Sequence, residues 1–321
     1  MADGAELGRR LRERDLSAAP EVLNLLESRA EPARMQAAAL LGAVSPRALG
    51  GAEAPGHVVG LTGPPGVGKS TLLSRLVAGW RQRGRSVAVL AVDPSSRRSG
   101  GSLLGDRARL DVDPLDRQVF VRSTAAADRL GGLAPGTRAA AAALSVAFDV
   151  TVIETVGVGQ SETEVADVAD TVVVVVQPGS GDVLQFLKAG IMEVPDVLVV
   201  TKADLGRVAA RALSDLRSAL RSLGARDTSV VLVSSLPPGS GIDELLDAID
   251  AHRAGLDLPA RRLASRRSHA LADFAAEYGD RGVRVLGGVR SARRWLDQQD
   301  PALDVAALFS GLEQRQAQHK H

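Results

Sequence analysis

The sequence predicts an α/β fold: a doubly wound, mainly parallel sheet with helical extensions before and after it. Three observations predict this class. Six short apolar runs alternate with amphipathic stretches from residue 57 onward. The runs are nearly continuous in Val, Leu and Ile, as in strands that are buried on both faces. Polar or glycine residues follow several runs, which predicts a ligand site at the carboxyl ends of the strands.

The elements follow in order along the chain. The apolar spacing of residues 6–44 predicts two or three helices, and a Pro/Gly/Ala-rich linker follows them. The six predicted strands are HVVGLTG, SVAVLAVD, VTVIET, DTVVVVVQP, DVLVVTKAD and SVVLVSS. After them the chain is rich in arginine and has helical spacing. We therefore expect a helical N-terminal extension and linker (1–55), a nucleotide-binding domain (56–258) and a helical C-terminal arm for dimerisation or partner binding (259–321).

Composition excludes several classes of function. The chain has no cysteine, which rules out disulfides and thiolate ligands or nucleophiles. Its formal net charge is +1, so there is no overall electrostatic attraction to nucleic acid. The longest apolar run has the length of a strand, and the first residues lack the apolar stretch of a secretory signal. We expect a cytoplasmic protein without a membrane partner.

Lysine is rare in this chain. Only four of the 39 basic residues are lysine, and the others are arginine. Under such a bias, a lysine marks a position where a compact ammonium group cannot be replaced by a planar guanidinium group. Lys320 is close to the last residue and is set aside, which leaves Lys69, Lys188 and Lys202 as functional candidates.

A glycine-rich loop follows the first predicted strand. GLTGPPGVGKST has the pattern Gly-x4-Gly-Lys-Ser, and an apolar helical pattern comes next. In this context the glycines let the backbone wrap a phosphate, whose charge meets the N–H groups of a helix N-terminus. The lysine reaches the β- and γ-phosphates and the serine binds Mg²⁺. The predicted contacts are Gly63, Gly66, Val67, Gly68, Lys69, Ser70 and Thr71.

A second motif indicates guanine as the base. Thr201-Lys202-Ala203-Asp204 ends a later strand and is a variant of Asn-Lys-x-Asp. An aspartate in this position accepts hydrogen bonds from guanine N1–H and N2–H₂, which adenine cannot donate, so ATP leaves a carboxylate unpaired. The next strand ends in VSSLPPGSG, which predicts further base contacts from Ser234, Ser235 and Leu236.

Two acidic residues end predicted strands. Asp93 and Glu154 would hold the water molecules of a bound Mg²⁺ and position an attacking water. For Asp93, an N-cap or turn role in the following Pro-Ser-Ser is an equally good explanation. Gly157 would offer its N–H to the γ-phosphate. Val158 stands where many GTP hydrolases carry a water-orienting glutamine, so we expect slow intrinsic hydrolysis.

Taken together, these motifs resemble the MeaB/ArgK family, GTPases that chaperone B12-dependent acyl-CoA mutases such as methylmalonyl-CoA mutase. The stretches that carry the resemblance are GLTGPPGVGKST, AVDPSSRRSGGSLLGDRARL, IETVGVGQSE, VVQPGSGDVLQ and TKAD. The resemblance implies a SIMIBI G domain of the P-loop NTPase type, which often forms a homodimer. It also implies GTP or GDP and Mg²⁺ as ligands, no directly bound cobalamin, a mutase partner and no nucleic acid.

The resemblance also implies roles for individual residues. It places Lys69, Asp93, Asp106 and Glu154 in the catalytic set, and the three acids with Ser70 around Mg²⁺. It implies that a segment at 178–190 transmits the nucleotide state to the mutase. The coupling residues are then Gln160, Asp182, Gln185 and Lys188. Thr201 replaces the asparagine that is common in the family, which affects the expected guanine affinity.

Three other classes fit less well. A nickel-insertion GTPase of the hydrogenase or urease type needs a Cys/His cluster, and the histidines show no paired ligand spacing beyond the terminal His-Lys-His. A protein-targeting GTPase of the signal-recognition class needs a methionine-rich peptide site, and this chain has three methionines. A P-loop kinase or ATPase disagrees with the base-recognising Asp204 and with the lack of an evident acceptor-binding domain.

Overall fold

The computed structural model describes residues 3–28, 30–93, 110–125, 133–155, 160–179, 195–225 and 227–318. Its contacts divide the chain into two compact units. One is Gly56–Leu256, and the other combines Met1–Pro55 with Asp257–His321. The expected division into three segments stays a prediction, because compactness alone does not show which part folds independently.

In the first unit, Gly56–Leu256, the described helices are interspersed with strands. In the second unit, Met1–Pro55 with Asp257–His321, the described elements are all helical. The described helices of both units are α1 (Gly4–Arg12), α2 (Ala19–Glu27), α3 (Glu31–Ala43), α4 (Lys69–Gln82), α5 (Pro135–Ala147), α6 (Gln160–Val168), α7 (Arg207–Ser222), α8 (Ile242–Ala254), α9 (Leu258–Val285), α10 (Val289–Asp297) and α11 (Val305–Gln318). Short 3₁₀ turns lie at Leu16–Ala18 and Ala203–Leu205. No helix among the described residues is long and apolar enough to cross a membrane.

The unit Gly56–Leu256 contains a seven-stranded sheet in its described residues. The strands are β1 (His57–Thr62), β2 (Val87–Asp93), β3 (Val119–Ala125), β4 (Val150–Glu154), β5 (Thr171–Val176), β6 (Val197–Val200) and β7 (Ser229–Leu232). Their order is β3-β2-β4-β1-β5-β6-β7, and each of these pairings is parallel. The predicted doubly wound fold class of the P-loop NTPase type is confirmed.

Strand β3 was missing from the prediction. Its sequence, VFVRSTA, lacks the continuous apolar run of the other strands because it lies at the sheet edge and pairs only with β2. Only Val121 and Thr124 are buried among its described side chains. The turn before it is tied to α4 by an ion pair between Arg81 Nε and Asp116 Oδ2 at 2.7 Å, and this hydrogen bond lowers the pKa of the Asp116 carboxyl.

The order of the strands positions the ligand site. β1 lies between β4 and β5, so the connections after β1 and β4 diverge to opposite sides of the sheet. The core under this edge is formed by α4, whose apolar face is 0–1% exposed at Leu72, Leu73, Leu76, Val77 and Trp80. This packing fixes the start of α4 directly beyond the carboxyl end of β1.

A chain of polar contacts, buried at His57 and Thr171, lies at the opposite, amino-terminal edge of the same sheet. His57 Nε2 is 2.7 Å from Thr171 Oγ1, which is 2.8 Å from Nδ1 of His252. His252 Nε2 is in turn 3.2 Å from Asp196 Oδ1. No sequence pattern predicts these contacts, because the paired residues are 114 and 81 positions apart. This chain of contacts connects the starts of β1, β5 and β6.

The second unit joins the two ends of the chain. Arg266 forms a two-pronged ion pair with Glu53, with both N–O distances at 2.9 Å. Arg262 Nη1 donates to the Ala54 carbonyl at 2.6 Å. The C-terminal helices α9, α10 and α11 pack around their own apolar core, as the helical spacing predicted. Helix α9 bends at Gly279, whose φ of 61° and ψ of −172° are not helical.

Candidate nucleotide-binding site

The glycine-rich loop connects the end of β1 to the start of α4. Its glycines adopt positive φ angles of 144° at Gly63, 79° at Gly66 and 92° at Gly68. A Cβ atom on Gly63 would lie 2.1 Å from the carbonyl oxygen of Val175, so the loop passes too close to β5 for any side chain there. The sequence therefore folds into a tight backbone cradle at the N-terminus of a helix, as phosphate binding requires.

Lys69 is the first residue of α4, and its side chain lies inside this cradle. The residue is 8% exposed, and its ammonium donates to the carbonyl oxygens of Gly63 at 2.6 Å and Pro64 at 2.9 Å. A buried ammonium gains from an anion bound in the same cradle. The position therefore fits a phosphate-binding lysine.

Ser70 and Glu154 meet beside the cradle. The Ser70 hydroxyl donates to Glu154 Oε1 at 3.0 Å, and Glu154 pairs in register with Leu61 of β1. A hydroxyl and a carboxylate oxygen are hard donors that suit Mg²⁺, which takes few protein ligands and completes its shell with phosphates and water. Within the described ranges no three His, Asp or Glu side chains gather as a metal site.

Asp93 ends β2 two residues beyond Ala91, which pairs in register with Glu154. Its backbone thus lies at the same sheet edge, but its side chain is outside the described residues, so both explanations of Asp93 stay predictions. The same holds for six other predicted residues, for which either the whole residue or its side chain is outside the described part of the chain. These are Asp106, Gly157, Gln160, Asp182, Gln185 and Lys188.

Thr201 connects the base-recognition segment to the phosphate loop. Its side chain is buried, and its hydroxyl lies 2.8 Å from the Val67 carbonyl and 3.0 Å from the Val176 carbonyl. The asparagine expected at this position is thus replaced by a shorter side chain that still reaches the loop backbone. Its geometry supports a role in holding the loop, whereas the sequence had suggested only that a hydroxyl was retained.

The residues after Thr201 present polar groups to solvent next to the last strand. Lys202 adopts a left-handed conformation, with φ of 58°, and its ammonium donates to Gln177 Oε1. Asp204 is exposed and its Oδ1 accepts a hydrogen bond from Ser234 Oγ at 3.2 Å. The Ala203 N–H bonds to the Val233 carbonyl, which brings the two predicted base-contacting segments side by side.

Three further residues of this edge were predicted to contact nucleotide. Thr71 is exposed in the first turn of α4, and Leu236 is 59% exposed beside the Asp204 segment. The Ser235 carbonyl accepts a hydrogen bond from Arg75 Nε at 3.1 Å. The described residues of the candidate site thus lie along one edge of the sheet, from the loop at Gly63 to the segment at Leu236. The individual roles stay predictions.

Two residues of this edge were not assigned by the sequence. Gln177 holds Lys202, and Arg75 of α4 holds the Ser235 carbonyl, so each joins two parts of the candidate site. The sequence marks Gln177 as one of the polar residues that follow strands at the ligand edge, but it predicts no contact for this side chain. Arg75 had no signal, since exposed arginines are common in this chain.

The Thr201 contact makes a testable prediction. Thr201→Val keeps the shape of the side chain but leaves the Val67 and Val176 carbonyls without the hydroxyl, a loss of about 1–3 kcal/mol. We expect GTP to bind about 10–100 times more weakly in a fluorescent-nucleotide titration. Thr201→Ser is the matched control and should bind nearly as the wild type. Equal weakening in both variants would contradict the role of the hydroxyl.

The fold and this edge define a P-loop GTPase. The chain belongs to the MeaB family, since the family model described as "Methylmalonyl Co-A mutase-associated GTPase MeaB" matches residues 19–280. The resemblance and the enzyme class drawn from the sequence are both confirmed.

Individual relatives agree with this assignment. A Pyrococcus abyssi protein named as a GTPase is 41% identical over 269 residues, which is 82% of this chain and 80% of that protein. The mouse "Methylmalonic aciduria type A homolog, mitochondrial" is 39% identical over 215 residues, 65% of this chain and 52% of the mouse protein. A crystal structure described as "LAO/AO transport system kinase" has a TM-score of 0.66 and 28% identity, covering 97% of this chain and 96% of that one.

Proposed function

We propose that this GTPase is a chaperone of a B12-dependent acyl-CoA mutase, methylmalonyl-CoA mutase being the first candidate. In this role its nucleotide state gates the loading and protection of the adenosylcobalamin that the mutase holds. The family match over residues 19–280 carries the proposal, because that family is described by its association with this mutase. The names of the mouse and Caenorhabditis elegans relatives support it.

The phosphate end of the site would carry out hydrolysis. Water attacks the γ-phosphorus, the bond from that phosphorus to the β–γ bridging oxygen breaks, and GDP and phosphate are released. The Lys69 ammonium stabilises the negative charge that develops on the phosphate oxygens, and the loop N–H groups hold them in place. Glu154, with Asp93 and Asp106, orders the water molecules near the γ-phosphate.

The chemistry of Ser70 and Glu154 fits Mg²⁺. When bound, this ion would neutralise part of the negative charge on the phosphate oxygens. Ser70 Oγ now donates to Glu154, so it would have to turn a lone pair toward the ion while Glu154 accepts from a water molecule of its shell.

The other end of the site would recognise guanine. Asp204 accepts from N1–H and N2–H₂ of the base, and Ser234 holds this carboxylate in place through its hydroxyl. The stem of Lys202 lies along the ring, and Ser235 and Leu236 border the O6 side. Because an adenine base cannot satisfy Asp204, the site discriminates against ATP.

Coupling to the mutase would pass through the segment that begins after β5. Gln177, the residue directly before that segment at 178–190, accepts a hydrogen bond from Lys202. A base-recognising lysine is thus bonded to the residue that precedes the proposed coupling segment. With Val158 in place of a glutamine, hydrolysis is slow and acts as a timer that resets the coupled state. The working unit is a homodimer in the cytoplasm.

The nickel-insertion alternative gains no support from the described residues. His57 and His252 both contact Thr171 in the chain of polar contacts that ends at Asp196, and among the described residues these side chains do not form a group that could hold a metal ion. Stoichiometric nickel binding in a metal titration would revive this alternative.

A pull-down tests the proposal. Purified candidate mutases are offered to the immobilised full-length protein with GDP or with a non-hydrolysable GTP analogue. We expect one mutase to be retained in a nucleotide-dependent manner, and an acyl-CoA enzyme without cobalamin, the control, not to be retained. Retention of no mutase in either state would contradict the proposed function.

A further inference from the structure

Two buried threonines lie next to the candidate phosphate site. Thr62 is the last residue of β1, one position before Gly63, and Thr155 directly follows Glu154 at the end of β4. Both threonines are 1% exposed, and the Thr155 hydroxyl donates to Thr62 Oγ1 at 2.8 Å. The Thr155 N–H also donates to the Leu61 carbonyl at 3.0 Å. The residue after Glu154 is thus tied to β1 through its backbone and through this hydroxyl pair, Thr62 and Thr155.

The hydroxyl pair lies on the face of the sheet that α6 covers. Successive side chains of a strand point to opposite faces, so Thr62 shares a face with Gly60. Helix α6 packs so closely there that a Cβ atom on Gly60 would lie 2.8 Å from Val165 Cγ2 and 3.1 Å from Ala169 Cβ. Leu61, which lies between these two positions of β1, points into the core that α4 covers. The hydroxyl pair is therefore buried on the side of the sheet opposite to α4.

This placement sets the direction of the Glu154 side chain. Glu154 pairs in register with Leu61, and its carboxylate accepts a hydrogen bond from Ser70 of α4 at 3.0 Å. Because Thr155 is held on the face opposite to α4, the residue before it points toward α4, where Ser70 lies. The hydroxyl pair thus fixes the end of β4 with the carboxylate directed at Ser70.

Core packing alone does not explain two hydroxyl groups at this position. Valine has nearly the shape of threonine, and replacing both partners of a buried hydrogen bond by apolar groups of the same shape can be nearly neutral for stability. Carbon atoms in contact, however, prefer a separation of about 3.5–4.0 Å, so two methyl groups would hold the strand ends about 1 Å farther apart than the oxygen pair does. A misplacement of about 1 Å can slow an enzyme about 100-fold.

We propose that the hydroxyl pair positions Glu154 for GTP hydrolysis. Each threonine acts through Glu154, since its hydroxyl lies on the other face of the sheet. This inference rests on the proposed role of Glu154, which orders water molecules near the γ-phosphate. GDP has no γ-phosphate, and Lys69 and the glycine-rich loop hold its remaining phosphates without this carboxylate. The hydroxyl pair therefore matters for the chemical step and not for the binding of GDP.

Thr155→Val tests the positioning role, because it keeps the shape of the side chain and removes the donor. We expect single-turnover hydrolysis at saturating GTP to fall about 10- to 100-fold. The affinity for GDP in a fluorescent-nucleotide titration should change by less than about threefold. Thr155→Ser keeps the hydroxyl and should restore most of the hydrolysis. Thr62→Val removes the same bond from the other side and should give the same loss, which keeps the test decisive if one of the valine variants does not fold.

Thr171→Val is the matched control for stability. Thr171 is a fully buried threonine of the same sheet, and its hydroxyl contacts His57 and His252 at the amino-terminal edge, opposite to the candidate site. Its loss should lower the melting temperature at least as much as Thr155→Val does, because two polar contacts are removed. Hydrolysis and GDP affinity should stay as in the wild type. An equal loss of hydrolysis in Thr171→Val would overturn the positioning role in favour of general destabilisation.

Glu154→Gln separates the positioning role from the role of Glu154 itself. If Glu154→Gln hydrolyses GTP as the wild type does, the proposed role of this carboxylate fails and the positioning role fails with it. If Glu154→Gln is slow but Thr155→Val and Thr62→Val are as fast as the wild type, only the positioning role is overturned. A fall in GDP affinity as large as the fall in hydrolysis would also overturn it, since the pair would then support the whole phosphate loop.

Discussion

Lys69→Ala is expected to reduce GTP hydrolysis about 100- to 1,000-fold, the effect of removing one preorganised charged donor from a phosphate site. Lys69 is 8% exposed, and its ammonium already lies within hydrogen-bonding distance of the Gly63 and Pro64 carbonyls. Its place in the cradle is therefore set before any ligand arrives. Single-turnover hydrolysis measures the effect on the chemical step directly.

The same variant should lose the stabilisation that nucleotide gives. A ligand that binds only the folded state raises the melting temperature with its concentration, and we expect GTP to raise that of the wild type but not that of Lys69→Ala. Lys69→Arg is the informative control. In a chain where arginine replaces lysine almost everywhere, we expect the bulkier guanidinium to fail here too. Normal hydrolysis by Lys69→Arg would contradict our interpretation of the surviving lysines.

Asp204→Asn is expected to change the preferred base from guanine to xanthine. The amide presents an N–H₂ group where guanine also has donors, so GTP should bind about 100-fold more weakly or worse. Xanthine carries an oxygen at that position, which the new amide can satisfy. Competition of GTP and XTP for one fluorescent nucleotide measures the change.

Ser234→Ala is the matched control for this exchange. It removes the hydroxyl that holds Asp204 at 3.2 Å but leaves the carboxylate in place. We expect GTP to bind up to about tenfold more weakly without any gain for XTP, because a neutral hydrogen bond contributes about 1 kcal/mol. If Asp204→Asn still preferred GTP over XTP as the wild type does, the base assignment would be wrong.

The sheet was predictable where strands are buried on both faces. The six valine-rich runs correspond to β1, β2, β4, β5, β6 and β7, because a strand between two helical layers needs apolar side chains on both sides. β3 was not predicted, because an edge strand that contains Arg122 and Ser123 lacks this apolar pattern. In the second unit, helical spacing predicted helices but not the bend at Gly279, since one glycine does not distinguish a kink from a helix end.

The candidate site could be predicted where its residues follow strands whose carboxyl ends lie at the same edge of the sheet. Ser70 and Glu154 are 84 positions apart, yet their contact follows from the parallel pairing of β1 with β4. By contrast, the bond from Thr201 to the Val67 carbonyl depends on how β6 places one hydroxyl against a loop 134 positions earlier. No local pattern encodes such a distance. The Gln177 contact with Lys202, in contrast, follows from the parallel pairing of β5 with β6.

The central claim is that nucleotide state and mutase binding are coupled. Isothermal titration of methylmalonyl-CoA mutase into the full-length protein, with GDP or with a non-hydrolysable GTP analogue, measures this coupling directly. We predict that the two dissociation constants differ by about 5- to 150-fold, and that the mutase changes the ratio of the two nucleotide affinities by the same factor. Equal mutase affinity in both nucleotide states would contradict the claim.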